Sequence, residues 1–340
     1  HGELLALWEG GSASVIDRET LAWQGFKSWG ESVDGLPFTA HPKVEIDGTV
    51  WAFGYTFAPV PAIILYHIAP DGTLRRAHRI DVDPMGMVHD FVVTDRHLVI
   101  VVPPLVVEPS PDDEVLLDAL AWRPALGSRV LVVGKDDFDT RRWYQLPAGF
   151  GFHHGNGWED ASGTIRFDHC VASDATLVTA TMRDIMRGML ERPPPETYTR
   201  FTLHPDGRAE ADDTGDEAEF PAVAPAVIGR RNRYVYTVGA PSSESIGWRL
   251  RQVVKRDQET GDLETFDYGP GTIAEEHVFV PRRDSRGEDD GWLIGAYLDY
   301  MRKSSGIAIF DARGVADGPV ARASLDYALP LALHGNFSAA

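Results

Sequence analysis

Short apolar runs alternate with tight polar turns along most of the chain. Val44-Glu45-Ile46 meets Asp47-Gly48 and then Thr49-Val50-Trp51-Ala52-Phe53-Gly54-Tyr55, the pattern of a β-hairpin with an Asp-Gly turn. The same grammar returns at Ile63–Ile68 before Pro70-Asp71-Gly72, at Arg129–Val133 before Lys135-Asp136-Asp137, and at Tyr198–Leu203 before Pro205-Asp206-Gly207. Gln252–Val254 and Ile307–Phe310 close in the same way, on turns that begin at Asp257 and Asp311, and Ser14–Ile16 leads into Asp17. Runs this short, bounded by Gly, Asp and Pro, read as strands.

The turn residues Asp17, Asp71, Asp136, Asp206, Asp257 and Asp311 are separated by 54, 65, 70, 51 and 54 residues. A supersecondary repeat of about 50 residues made of short strands is the sequence signature of a β-propeller blade. Uneven spacing implies insertions, the largest over 103–124. Helix is expected only near 180–190, where Met182, Ile185, Met186 and Met189 fall at helical spacing and read as packing. The expected organisation is one β-propeller domain over 1–340.

Composition supports a single large all-β domain. The chain has 340 residues, 43% of them hydrophobic, and its 33 Gly and 23 Pro are scattered as turn punctuation with no linker block. A formal charge of −19 makes nucleic acid an unsuitable partner, because the field of such a surface repels phosphate backbones. Cys170 is the only cysteine, so no internal disulfide forms and a reducing cytoplasm is the expected location. Apolar stretches such as Leu98–Val107 are too short to span a bilayer as helices, and Pro103–Val107 is the stretch to watch for peripheral membrane contact. The chain opens at His1 without an initiator Met, which suggests a missing natural start.

Four histidines carry the candidate chemistry. His41, His89, His153 and His334 each follow an extended segment and precede Pro, Gly or Asp, and they lie 48, 64 and 181 residues apart, near one, one and three repeats. His154 stands beside the third. A propeller brings the ends of its innermost strands together, so histidines in phase with the repeat can converge on a metal. Neutral imidazoles suit Zn, Cu, Fe and Ni, and they need carboxylates on their other ring nitrogen. Glu9, Glu219 and Glu276, each in largely apolar surroundings, are candidates for that task. No Gly-x-Ser-x-Gly elbow, His-Glu-x-x-His motif, phosphate loop or Cys pair competes.

At these residues the sequence resembles the carotenoid cleavage oxygenase family, which includes apocarotenoid and stilbene dioxygenases and the retinal pigment epithelium isomerase. Thr39-Ala40-His41-Pro42, Val88-His89-Asp90-Phe91, Phe152-His153-His154-Gly155-Asn156 and Leu333-His334-Gly335-Asn336-Phe337 resemble its four iron-ligand motifs in order. The third motif of the family, Phe-His-x-x-Asn, places the ligand on His153 and leaves His154 a neighbour. The resemblance also places the family's ring-holding glutamates on Glu9, Glu219 and Glu276, leaving one of the four histidines without an assigned one.

The resemblance implies a seven-bladed β-propeller, with an N-terminal portion missing from this chain, and Fe(2+) on four histidines. It implies cleavage of a C=C bond of a carotenoid or apocarotenoid by O₂, with aldehyde or ketone products. The partners are then a hydrophobic small molecule and O₂, with the oligomeric state undetermined. Trp8, Phe91, Phe152, Phe279 and Leu333 would line the substrate pocket. Trp8 stands where stilbene-cleaving members tend to carry Lys, which favours an apolar polyene. A stilbene or phenylpropene dioxygenase with the same iron site is the alternative, and a non-catalytic binding propeller the second.

Overall fold

The computed structural model of the chain describes residues 2–57, 59–108, 110, 115–189, 194–241 and 250–338, which fall into two compact units, His1–Phe152 and His153–Ala340. The strands of both units form antiparallel meanders of blade type, in which consecutive strands lie side by side.

In the first unit, Leu4–Ala6, Ser14–Ile16 and Trp23–Phe26 make a three-stranded sheet. One four-stranded sheet follows from Lys43–Val44, Val50–Thr56, Ala62–Ile68 and Leu74–Asp81, and another from Val92–Val93, His97–Val102, Ser128–Gly134 and Arg141–Leu146. The middle strands of these sheets are covered on both faces, which is why Ala62–Ile68 reads as an almost unbroken apolar run.

In the second unit a seven-stranded sheet runs from His154–Glu159 through Ile165–Val171, Thr197–Leu203, Ala209–Ala222, Tyr234–Gly239 and Gln252–Asp257 to Leu263–Asp267. Its hinge is the 14-residue strand Ala209–Ala222. The first half of that strand pairs with Thr197–Leu203, and the second half pairs Ala218 with Gly239 and Glu219 with Val238. One strand therefore serves as the outer edge of one blade and the inner edge of the next. A four-stranded sheet of Thr272–Pro281, Gly291–Asp299, Ser304–Asp311 and Ala321–Ser324 completes the unit. Tyr236, Val253, Phe279, Leu293 and Phe310 pack together between the last two sets of strands.

The repeated aspartates lie in the outermost hairpin of each meander, where a carboxylate accepts backbone N–H groups of its own turn. Asp71 accepts from Thr73 at 2.9 Å, Asp206 from Arg208 at 3.0 Å, Asp257 from Glu259 at 2.9 Å, Asp311 from Arg313 at 3.1 Å and Asp17 from Thr20 at 2.8 Å. In the third hairpin the acceptor is Asp137, one residue past the Asp136 of the spacing pattern, and it takes the Asp139 N–H at 3.0 Å.

The insertion over 103–124 is a two-stranded ribbon, Leu105–Val107 against Leu120–Trp122, and its Asp112, Asp113 and Glu114 lie outside the described residues. Leu105 and Val106 are buried, so Pro103–Val107 presents little apolar surface; Val115, Leu116 and Leu117 are the exposed apolar side chains of the ribbon. The helical segment is Leu177–Thr181, π-helical, continuing as the α-helix Met182–Met186, while Leu190 is outside the described residues. Met182 and Ile185 are half-buried, but Met186 is 88% exposed, so the methionine stripe packs only along its first turn. Among the described residues no helix is long and apolar enough to cross a membrane.

Candidate metal-binding histidine pairs

Each unit holds a pair of histidines whose Nε2 atoms face one another. In the first, His41 follows Thr39, a fully buried residue whose N–H donates to the Phe53 carbonyl at 2.6 Å and whose Oγ1 accepts the His41 N–H at 2.9 Å. His89 sits just before strand Val92–Val93. The Lys43 ammonium lies 2.7 Å from the buried Asp90 carboxylate and ties the two histidine-bearing segments together. The outcome is a His41 Nε2 to His89 Nε2 separation of 2.9 Å.

The other nitrogen of His89, Nδ1, stands 2.5 Å from Glu9 Oε1. Glu9 projects from the turn after Leu4–Ala6. There the Trp8 indole folds back over Gly10 and Gly11, and a Cβ on Gly11 would come within 2.4 Å of its Nε1. Trp8 remains 60% exposed on its other side. Phe152 meets His89 edge to face at 5.0 Å, and the fully buried Phe91 packs against Phe53 at 5.3 Å.

In the second unit, His153 immediately precedes strand His154–Glu159, and its carbonyl accepts the Cys170 N–H at 3.1 Å. Its Nδ1 lies 2.7 Å from Glu219 Oε1, in surroundings where both side chains are buried. Strand alternation sends His154 to the opposite face, where it stacks on His169 at 3.9 Å. His334 lies in the segment after Ala321–Ser324; its Nδ1 is 3.2 Å from Glu276 Oε2, and its Nε2 faces His153 Nε2 at 3.1 Å.

Glu276 holds that segment at three points. Its N–H donates to the Leu333 carbonyl at 3.1 Å, and its Oε2 accepts from both His334 Nδ1 and the Gly335 N–H, the latter at 3.1 Å. Leu333 has a φ of 62°, a left-handed backbone that a branched residue adopts only when its neighbours impose it. A small pocket of about 150 Å³ lies against these residues, lined by Glu275, Ala296, Ile307, Ala332, His334 and Phe337 among others. Phe279 packs in the core cluster of its sheet, against Tyr236.

Irregular strand pairing aims these groups. Register shifts occur between His154 and Gly157, between Glu219 and Ala222, and between Ala274 and His277, each beside a residue of the site. Bulges of this kind redirect a side chain that regular alternation would point elsewhere. The first shift carries Asn156, whose side chain donates to the carbonyls of Val227 at 2.9 Å and Arg230 at 2.8 Å and to Asn232 Oδ1 at 3.0 Å, and accepts from the Gly229 N–H at 3.0 Å. Its own N–H donates to Asp168 Oδ1 at 3.2 Å. Asp168 is fully buried, and that burial pushes its carboxyl up to about 7.

Phe220 is a residue that the sequence alone did not single out. It follows Glu219 in left-handed backbone (φ 53°), donates its N–H to the Glu219 carboxylate, and packs against both His153 at 5.3 Å and His334 at 5.4 Å. Nothing in its sequence context announces this, because the contact depends on the bulge.

The donor set fits a cation. A carboxylate only accepts, so in the neutral imidazole each of His89, His153 and His334 carries its proton on Nδ1, leaving a lone pair on Nε2. Facing lone pairs at 3.1 Å in the His153–His334 pair repel unless a positive charge lies against both. Imidazole nitrogens bind first-row divalent ions at about 2.0–2.1 Å, so two ligands at right angles stand about 3 Å apart.

The chain is similar to known proteins along nearly its whole length. The family profile of the retinal pigment epithelial membrane protein matches residues 1–339. Apocarotenoid-15,15'-oxygenase of Synechocystis is 27% identical over 98% of this chain and 70% of its own length. Carotenoid 9,10(9',10')-cleavage dioxygenase 1 of Arabidopsis thaliana is 27% identical over 99% of this chain and 64% of its own. Lignostilbene-alpha,beta-dioxygenase isozyme III of Sphingomonas paucimobilis is 26% identical over 99% and 72%. The chain thus spans roughly two thirds of the length of these relatives. Among solved structures, cobalt-substituted Synechocystis apocarotenoid oxygenase matches with a TM-score of 0.88 at 25% identity, over 99% of this chain and 72% of that one. This likeness, together with the blade-type meanders, gives the fold as an all-β propeller.

Proposed function

The chain belongs to the retinal pigment epithelial membrane protein family, and from that premise we propose that it is a non-haem Fe(II) dioxygenase cleaving a C=C bond of a carotenoid or apocarotenoid. O₂ supplies one oxygen atom to each carbon of the broken double bond, so the products are two carbonyl compounds and no other reductant is needed. In this reading His41, His89, His153 and His334 join as one ligand set, within a single seven-bladed propeller domain. Iron held by these four neutral imidazoles would supply O₂ activation.

The observation that carries the reading is the pair of Nε2 lone pairs of His153 and His334 held face to face at 3.1 Å by carboxylates on their Nδ1 atoms. Glu9, Glu219 and Glu276 hold three rings in the tautomer that ligation needs and raise their basicity. Phe152 packs on His89 and Phe220 on His153 and His334. Phe91 packs on Phe53 and Phe279 in a core cluster, which leaves Trp8 and Leu333 as the exposed apolar side chains for the walls that a polyene requires. Relatives named for apocarotenoid and carotenoid cleavage support the substrate class. The lone, buried Cys170 supports a cytoplasmic location as part of this proposal.

The relative named for lignostilbene keeps a stilbene as the second substrate class. The deciding experiment is anaerobic reconstitution of the purified protein with Fe(II), followed by exposure to O₂ and mass analysis of products from an apocarotenal and a hydroxystilbene. Turnover of the apocarotenal alone supports the proposal, and turnover of the hydroxystilbene alone selects the other substrate. Failure of the protein to bind Fe(II) at all removes both.

A further inference from the structure

Strand Thr272–Pro281 is irregular where it matters most for His334. Ala274 faces Tyr297 but His277 faces Gly295, so one additional residue is accommodated at Glu275–Glu276. That bulge turns Glu276 toward the Leu333–Gly335 segment, where it makes the three contacts described above.

At the base of the bulge stands His277, 3% exposed. Its Nδ1 lies 2.7 Å from the Glu275 carbonyl and its Nε2 lies 3.0 Å from the Tyr268 hydroxyl. A carbonyl can only accept, so the proton resides on Nδ1, and Nε2 accepts from Tyr268. The ring lies on Gly295, where a Cβ would approach its Cγ and Nδ1 to 2.4 Å, and Phe310 meets it edge-on at 5.6 Å. Every side of this imidazole is therefore determined, and the one group it bonds in the bulge is the carbonyl of the residue before Glu276.

We propose that His277 is a positioning residue: its Nδ1–H, bonded to the Glu275 carbonyl, locks the bulge that aims Glu276 at His334 and so sets the orientation of that ring. The inference deepens the four-histidine reading and rests on it. An unlocked bulge would let residues 275 and 276 return toward regular pairing, which withdraws the carboxylate from His334 Nδ1 and frees a loop already holding Leu333 in left-handed backbone.

The test uses the two half-mimics of histidine. In His277→Asn the amide nitrogen can occupy the place of Nδ1, retaining the donor to Glu275 but losing Tyr268. In His277→Gln the amide reaches the place of Nε2, retaining Tyr268 but losing the donor. Tyr268→Phe removes the Nε2 partner alone. Affinity for Co(II), read by chelator competition, is expected to fall about 10–100-fold in His277→Gln and to stay near wild type in His277→Asn and Tyr268→Phe, even though all three lower the melting temperature. In metal-free protein, ¹⁵N shifts of His334 should change from the Nδ1–H tautomer to a mixture only in His277→Gln. Equal affinities in the Asn and Gln variants, or an unchanged His334 tautomer in His277→Gln, would overturn the proposal. Wild-type protein that binds no Co(II) or Fe(II) would instead overturn the four-histidine reading, and the metal-free ¹⁵N comparison still decides the role of His277.

Discussion

Nε2 of His153 faces Nε2 of His334 across 3.1 Å, and both rings have their other nitrogen engaged by a carboxylate. Two lone pairs so placed repel one another and are a good arrangement for a cation. The carboxylates do more than orient the rings, because they remove the option of placing a proton on each Nε2 while both imidazoles remain neutral.

Glu219→Gln tests this directly. The amide keeps the size of the side chain but not its charge, and it can offer an N–H to His153 where the carboxylate could only accept. Metal affinity is expected to fall about 10–100-fold, measured by chelator competition, with the far-UV circular dichroism unchanged. Undiminished affinity would show that Glu219 does not govern the His153 ring.

Asn156→Ala removes four side-chain hydrogen bonds and leaves the carbonyls of Val227 and Arg230 and the N–H of Gly229 without that partner. A loss of about 1–3 kcal/mol in unfolding free energy is expected, the cost of leaving a buried group such as the Gly229 N–H without its partner. Denaturant titration of the two proteins measures it.

Stability should depend on Asp168 with a definite sign. Burial raises its carboxyl in the folded state to about 7 from the usual 3.8. The folded protein then binds more protons than the unfolded chain between those values, so this group's contribution is present at acid pH and is lost as pH rises toward 7. Asp168→Asn should flatten that part of the profile, gaining stability relative to wild type at pH 8 more than at pH 4, as thermal melts across pH would report.

His277 acts in the opposite direction. Burial holds it neutral, with its pKa lowered to about 4 from 6.5. The unfolded chain takes up a proton first, so stability declines as pH falls from about 6.5 to 4 and then levels off. His277→Asn should lack this acid-side decline, and an unchanged slope in paired thermal melts would argue against a neutral buried ring.

Gly11→Ala should disturb Glu9 through Trp8. A Cβ there meets the indole at 2.4 Å and must push it away from the turn. A shift in tryptophan fluorescence together with weaker Co(II) binding is the expected pair of results.

The outer hairpins were legible because each is written locally: an aspartate accepts N–H groups two or three residues on, as Asp71, Asp206 and Asp257 do. The displacement from Asp136 to Asp137 marks the limit of that logic, since adjacent aspartates are equivalent in pattern and only the turn selects one. The methionine stripe packs only along its first turn for a related reason, as helical spacing defines a face but not how much of it is covered. Phe220 and His277 were invisible because their roles follow from bulges, and a one-residue slip in pairing leaves no trace in hydropathy.

By itself, the sequence determined the strand-and-turn repeat, the histidines in phase with it and the carboxylates available to them, because these depend on residue type and on spacings of a few residues or of one repeat. Tertiary structure decided which atoms of those residues meet: His153 turned toward Glu219 and His334, His154 turned away onto His169, and Glu276 turned onto its loop by a bulge. The physical reason is that side-chain direction in a strand reverses with every residue. A facing pair at 3.1 Å is therefore set by strand register, which long-range pairing alone can specify.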